Sequence, residues 1–388
     1  MKMLSSILAP VLLAGAIALS PTTSNAQDEK QTEFERNWYD ICFTKKVADQ
    51  CYQLSKELID KYPTSQYMKF ATERVKNWEI REAYDKYAAA YKAYHSAPDD
   101  KKLEQLFTAG EDYLKIQPDQ QIVVAYLALA GCDGVSRSYT NLEKVKSYGE
   151  RALKVVESTT PPNKDTKAED WEALRDSVHA QVYQFNGYYL IEKKGAESEA
   201  IDYLTKATEV KAKDGAGWKD VNNYNLRAGI YQNQYTQLSA EYSKMSEADK
   251  TGDLGKALLA KINELVDTKL IPDLARVIAI AATKPELKAI GDEARGIFDK
   301  FWKFRTEAPE KAADYIKAFQ PDPTVPGPAI PVKADVSANT AAPEVGPTNT
   351  KLASGGSTSN SKSGAKNGSS SKSTTTKKQT QKKRGRRG

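Results

Sequence analysis

Four stretches of the chain repeat one spacing of apolar and polar positions. They are CYQLSKELIDKYP from Cys51, LFTAGEDYLKIQP from Leu106, VKSYGERALKVVE from Val145 and AIDYLTKATEVKA from Ala200. Counting the first residue of each as i, position i+3 holds Leu54, Ala109, Tyr148 and Tyr203. Position i+7 holds Leu58, Tyr113, Ala152 and Ala207, and i+8 holds Ile59, Leu114, Leu153 and Thr208. Residues at i, i+3, i+7 and i+8 share one side of a helix. Position i+4 is small in the first three copies: Ser55, Gly110 and Gly149. Glycine there costs on the order of 1 kcal/mol of helix propensity relative to alanine. A neighbouring helix at close range offsets that cost, so the pattern predicts tightly packed helical hairpins.

The same reading predicts helices along most of the chain. A first hairpin spans Phe34 to Tyr62, with its turn near Lys45 to Val47. Further helices follow over Thr64–Tyr94, Lys101–Ile116, Gln120–Ala130 and Leu142–Glu157, then Asp165–Glu192, Glu197–Lys211 and Asp220–Lys244. Leu254–Ala282, kinked at Pro272, and Pro285–Phe304 close the body, with a short helix through Ala318. Gly131-Cys132-Asp133-Gly134 reads as a turn. No convincing alternation of apolar and polar residues appears, so the expected fold class is all-α with almost no strand.

A hairpin that cannot bury its apolar side alone stacks on its neighbours. The closest unit to a known pattern runs from Val182 to Ala212. Gly187 and Leu190 hold the small and large positions of its first helix, and Ala200, Leu204 and Ala207 those of its second. Tyr224, Ala228 and Tyr231 begin the next unit. This pattern resembles the tetratricopeptide repeat family over roughly two thirds of the chain. It departs from the family in lacking the Trp-Leu-Gly start and in having no proline after the third and fourth copies. The resemblance implies an α-solenoid of stacked helical hairpins that binds a protein or peptide on the surface of its first helices. Carried over residue by residue, the groove positions are Gln181, Gln184 and Tyr188 in one unit, and Asn222, Asn225 and Gln232 in the next. The competing reading of these amides is an ordinary polar surface.

Residues 1–26 read as a secretory signal: Lys2, an apolar run from Leu4 to Leu19, and the small-x-small site Ser24-Asn25-Ala26. Gln27 follows, not cysteine, which argues against a lipid anchor there. The expected location is periplasmic or secreted. Export permits disulfides. Cys42 and Cys51 flank the first predicted turn, where two antiparallel helices bring them within bonding distance, leaving Cys132 as the odd thiol. Three reduced, inert thiols are the alternative.

Charge separates the body from the tail. The chain holds 57 basic and 51 acidic residues. From Gln320 onward 12 basic residues accompany 3 acidic, whereas the rest, Lys2 aside, holds 44 basic and 48 acidic. The expected organisation is therefore a signal over 1–26, a helical repeat domain over 27–319 and a disordered tail over 320–388. That tail is proline-rich, then rich in Ser, Thr, Gly and Lys. Its terminal Lys382, Lys383, Arg384, Arg386 and Arg387 suit an anionic polymer.

Candidate chemistry is sparse. The two histidines, His95 and His179, lack metal-ligand spacing. No nucleophile elbow appears, and the Gly-Lys pair near Gly252 lacks phosphate-loop spacing. The expectation is no enzyme and no cofactor. Tyr84, Tyr87, Tyr91 and Tyr94 line one helix side, and such stripes serve packing or the binding of a peptide or sugar ring. Two functions follow: an exported scaffold binding a protein or peptide partner in the cell envelope, or an envelope polymer-binding or adhesion protein acting through its basic tail.

Overall fold

A computed structural model describes residues 26–333, apart from 159, 162–165, 194–195 and 214. The expected signal peptide, all but its last residue, and the basic cluster Lys382 to Arg387 lie outside the described residues. Those residues are all-α, with no strand and two isolated bridges, Lys211 to Gly217 and Thr306 to Val332. No described helix is long and apolar enough to cross a membrane.

The helices are α1 (Ala26–Tyr39), α2 (Ala48–Lys61), α3 (Met68–Ser96), α4 (Asp100–Ile116), α5 (Ile122–Ser136), α6 (Leu142–Val156), α7 (Ala168–Glu192) and α8 (Glu197–Glu209). After them come α9 (Val221–Lys244), α10 (Glu247–Thr251), α11 (Asp253–Leu265), α12 (Ile271–Ala281), α13 (Lys288–Arg305) and α14 (Ala312–Lys317). Local chemistry sets many of the ends. Asp99, Asn141, Asp220 and Ser246 cap α4, α6, α9 and α10 by accepting a backbone N–H from the first turn. α2 and α4 stop just before Pro63 and Pro118.

Partners follow chain order. α3 packs on α4, α5 on α6 and α7 on α8, while α2, α4, α6 and α8 also touch the helix that comes next; α5 further touches α7, and α9 touches α12. The small i+4 positions sit at these contacts. A Cβ placed on Gly110 would lie 2.8 Å from Leu127 of α5, and one on Gly149 3.0 Å from Val182 of α7. Ser55 is fully buried and accepts a hydrogen bond from Trp38 Nε1 at 2.8 Å. Gly187 takes Leu204 against its backbone, where a Cβ would fall 2.6 Å from the leucine Cγ.

Four apolar clusters result. One fills the first hairpin around Trp38 and Leu58, and a large one joins α3 to α7. A small cluster links α8 and α9 through Leu204 and Ile230. The last lies among α9, α12, α13 and α14 around Val266, Phe298 and Trp302.

Three expectations need correction. Gly131 to Gly134 form no turn: α5 continues through them to Ser136. The glycines are there for proximity, since a Cβ on Gly131 would stand 3.1 Å from Val145 and one on Gly134 would collide with Leu103. The helix expected over Leu254–Ala282 is two helices joined by a π-helical turn at Val266–Leu270. Pro272 falls in the first turn of α12, directly after the wider π-helical turn.

The third concerns the boundary at Phe319. Residues 320–333 lie along the body as an extended strap. Arg276 donates to the carbonyls of Pro323 (2.7 Å) and Val325 (3.1 Å), Lys211 pairs with Asp322 at 3.1 Å, and Lys333 N donates to Arg305 O at 3.0 Å. Gly327 abuts Phe319 and Tyr315, and Ile330 packs on the last cluster. A proline-rich composition predicts extension correctly. It says nothing of the donors that a folded partner offers to the free carbonyls.

A disulfide joins Cys42 to Cys51, with Cα atoms 4.9 Å apart. It spans a π-helical turn, Asp40–Lys45, that ends in left-handed Lys46 (φ 56°). Cys132 is free and half-buried, and burial pushes its thiol up to about 12. The thiolate that would make it reactive is thereby disfavoured.

Candidate functional site

The tyrosine stripe of α3 faces α4 and α5. Tyr87 and Tyr94 are buried, whereas Tyr84 and Tyr91 are half-buried. Tyr87 stacks on Tyr113 at 6.1 Å, Tyr84 meets Tyr113 edge-on at 5.7 Å, and Tyr91 meets Tyr126 of α5 at 5.9 Å. Tyr94 donates to Asp133 Oδ2 at 2.8 Å, which ties α3 to the end of α5. The stripe therefore splits. Its inner members pack, whereas Tyr84, Tyr91 and Tyr126 stay half-buried; Ile122 and Leu129, also half-buried, share the face of α5 that carries Tyr126.

Burial holds these phenols in the neutral form. It pushes Tyr91 up to about 12, aided by Tyr126, and raises Tyr87, Tyr126 and Tyr94, the last also through Asp133. A neutral phenol at the edge of an apolar strip donates one hydrogen bond and offers a ring. That suits recognition of a backbone carbonyl or a flat apolar group and gives no base or nucleophile near neutrality.

The amides of α7 and α9 have a different placement. Gln181, Asn222 and Gln232 are 8%, 3% and 2% exposed, so they do not form an open amide surface with the half-buried Gln184, Tyr188 and Asn225. Gln184 donates to Asn223 at 3.0 Å, and Asn223 donates to the carbonyl of Gly217 at 2.8 Å. Asn222 N donates to the cap Asp220, whose acidity burial weakens despite the hydrogen bonds it receives. Asn225 and Gln232 line a crevice with Leu274, Glu293 and Ile297, with room for about one water molecule. These amides fix the start of α9 and its seat on α12 and α13. Polar residues on a central helix are covered by whichever helix arrives next, and the family pattern alone does not reveal that.

A buried ion cluster escaped the sequence reading. Arg227 grips Asp273 through two bonds, Nε to Oδ2 at 2.9 Å and Nη2 to Oδ1 at 2.7 Å, and reaches Thr205 at 3.0 Å. Arg276 donates to the same Asp273 at 2.9 Å. Arg305 holds Asp267 of the π-helical turn through bonds of 2.8 and 2.6 Å. The visible signal was charge inside an apolar helix, LIPDLARVIAIAA; the partner Arg227 stands 46 residues away.

Neither histidine joins other ligating groups. His95 is exposed with its ring 4.2 Å from Tyr91, and half-buried His179 stacks on Tyr183 at 5.6 Å. Among the described residues no group of three or more His, Cys, Asp or Glu is placed to hold a metal ion. Comparison with family models, characterised proteins and solved structures gives no match.

Proposed function

We propose that this chain is a non-enzymatic, exported scaffold of stacked, tetratricopeptide-like helical hairpins that docks a protein or peptide partner. One observation carries the reading. The small residues that recur at one position of the repeat lie at helix contacts, Gly110 on Leu127 and Gly149 on Val182. An irregular bundle has no reason to place the same register position at successive helix contacts, whereas an array of like hairpins does. The partner's seat on this reading is the strip of Tyr84, Tyr91 and Tyr126, which offers apolar edges and neutral hydroxyls. The half-buried Gln184 and Tyr188 stand on α7, the helix that packs next to α5.

The test is crosslinking in intact cells from a photoreactive residue at Tyr126, using the full chain and a chain ending at Lys333. The second end point keeps the strap and removes the basic tail. The expected result is one specific adduct with both chains, lost on Tyr84→Ala/Tyr91→Ala. If every envelope association disappears with residues 334–388, the tail is the binding element and the helical body is a spacer. A turnover abolished by one point substitution, with folding intact, would restore an enzymatic reading.

A further inference from the structure

The first hairpin carries a patch that the packing of the helices does not use. Tyr39 is 49% exposed, Phe70 51% and Val47 38%. Phe43 joins them: its ring stacks on Tyr39 at 5.0 Å and meets Phe70 edge-on at 6.5 Å. Tyr67 stands 6.2 Å from Tyr39. The patch is rigidly backed. Trp38, fully buried, lies 5.5 Å from Phe43 and 5.2 Å from Tyr67, and the Cys42–Cys51 bond closes the loop beneath. Rings this open cost solubility in water, and contiguous exposed apolar surface marks a contact site.

The surroundings of the patch state the kind of contact. Arg36, Lys45, Lys46, Lys69 and Arg74 are all exposed on the same segments, with Lys45 and Lys46 at the loop tip between Phe43 and Val47. The Arg74 guanidinium sits over the Phe43 ring at 5.1 Å. The acids on these segments are Glu33 and the buried Glu35 of α1, Asp40, already paired with Lys45 at 2.7 Å, Asp49 and Glu73. The loop Phe43–Val47 itself holds Lys45 and Lys46 and no acid, on a body that is mildly acidic. Aromatic side chains fringed by Lys and Arg fit the headgroup level of a bilayer, where the rings lie at the apolar boundary and the cations meet phosphate. A protein partner would have to supply matching carboxylates one by one around an apolar socket; an anionic bilayer presents both everywhere.

We propose that the loop Phe43–Val47, with Tyr39 and Phe70, docks this protein peripherally on an anionic phospholipid bilayer. The inference stands apart from the scaffold reading, because it uses none of α5, α7 or α9. The basic tail also attracts anionic lipid, so the test separates the two. Full-length, oxidised protein is co-sedimented with vesicles of phosphatidylglycerol and phosphatidylcholine, and with phosphatidylcholine alone, at 0.1 M and 0.5 M salt. High salt screens the tail's long-range attraction and leaves ring insertion. Tyr39→Ser/Phe70→Ser is expected to lower partitioning at 0.5 M salt by about tenfold or more. Lys45→Glu/Lys46→Glu is expected to act mainly at 0.1 M. Both variants alter exposed side chains, and unchanged circular dichroism and melting confirm their folding.

No partitioning of the unaltered chain onto anionic vesicles overturns the proposal. So does binding that neither variant changes, which assigns it to the tail. Displacement by soluble glycerol phosphate at the same headgroup concentration also overturns it, since the chain would then recognise phosphate without a bilayer. A tenfold loss on ring removal that glycerol phosphate does not reproduce supports it.

Discussion

The two large cores of this molecule bring helices together by opposite means. Between α3 and α8 the device is a missing side chain. Gly110, Gly131, Gly134, Gly149 and Gly187 each let a Leu or Val lie against helix backbone. Between α9 and the strap the helices also approach closely in places, as at Gly291 on Ala281, but charge is buried there as well. Asp273, 2% exposed, serves both Arg227 and Arg276, and the remaining donors of Arg276 go to the strap carbonyls. The difference teaches something about tolerance. A glycine contact is steric and local, so a change there is felt by one neighbour. A buried ion cluster is collective, because each charge is tolerable only while its partners remain.

The largest effect that would break this contrast is at Asp273. Asp273→Ala leaves two arginines against a low-dielectric core and is expected to cost about 3–5 kcal/mol, measured by urea denaturation. Replacing the whole cluster, Arg227→Met/Asp273→Leu/Arg276→Met, is expected to cost clearly less than the single change, because no charge is then left unpaired. If the triple variant is as damaged as Asp273→Ala, the cluster contributes shape and the contrast fails.

Next in size is the strap. A chain ending at Phe319 strips two acceptors from Arg276 and uncovers Tyr315 and Phe319. The expected loss is about 2–3 kcal/mol, from one apolar residue and the hydrogen bonds of a charged donor. A chain ending at Lys333 should melt with the full chain. Equal melting of both truncations would mean that the strap rides on the body without supporting it.

These two regions were unequally legible. The glycine-packed half announces itself, because apolar spacing and the small i+4 residue are local properties of one helix. Gly110 and Gly149 were identified as approach points from the sequence, and the structure places Leu127 and Val182 there. Gly131 and Gly134 were misread, because glycine in a short window signals a turn and a close approach equally well. The charged half depends on long-range pairing. Asp273 and Arg276 are charges in an apolar run, but nothing near them points to Arg227. Composition likewise separated Pro-rich residues from the body without revealing that Arg276 recruits their carbonyls. The burial of Asn222 and Gln232 is illegible for a related reason: their exposure is decided by α12 and α13, which lie outside the recognisable repeat.

A smaller effect sharpens the steric side. Gly187→Ala places a Cβ 2.6 Å from Leu204 Cγ and 3.2 Å from the Ala200 carbonyl oxygen. Gained helix propensity of ~1 kcal/mol opposes overpacking of about 1–3 kcal/mol. The expected net is a loss of about 1 kcal/mol, and Gly187→Ala/Leu204→Ala should recover little of it, because that pair trades the clash for a cavity. A stabilised Gly187→Ala would show that α7 and α8 can separate without cost, and that close approach is incidental there.

The smallest effect tests whether the two halves open independently. Both histidines lie in the first half, and none lies beyond His179. Burial lowers the pKa of half-buried His179, with Arg175 adding to it against Asp176; burial acts the same way on His95, where exposure to solvent weakens the consequence. A ring kept neutral by the fold takes its proton less readily than in the unfolded chain. Above pH 6.5, the ordinary value, neither state is protonated and stability is unaffected. As pH falls below 6.5 the unfolded chain gains its proton first, so stability declines until the folded ring also titrates. Amide exchange in α7 should therefore quicken between neutral pH and mild acid, after correction for intrinsic rates, while α12 stays level. His179→Gln should remove most of the slope and leave the lesser share of His95. If α12 follows α7 in step and both respond to His179→Gln, the ion cluster and the glycine contacts belong to one cooperative unit, and the division drawn between them is a difference of chemistry without a difference of stability.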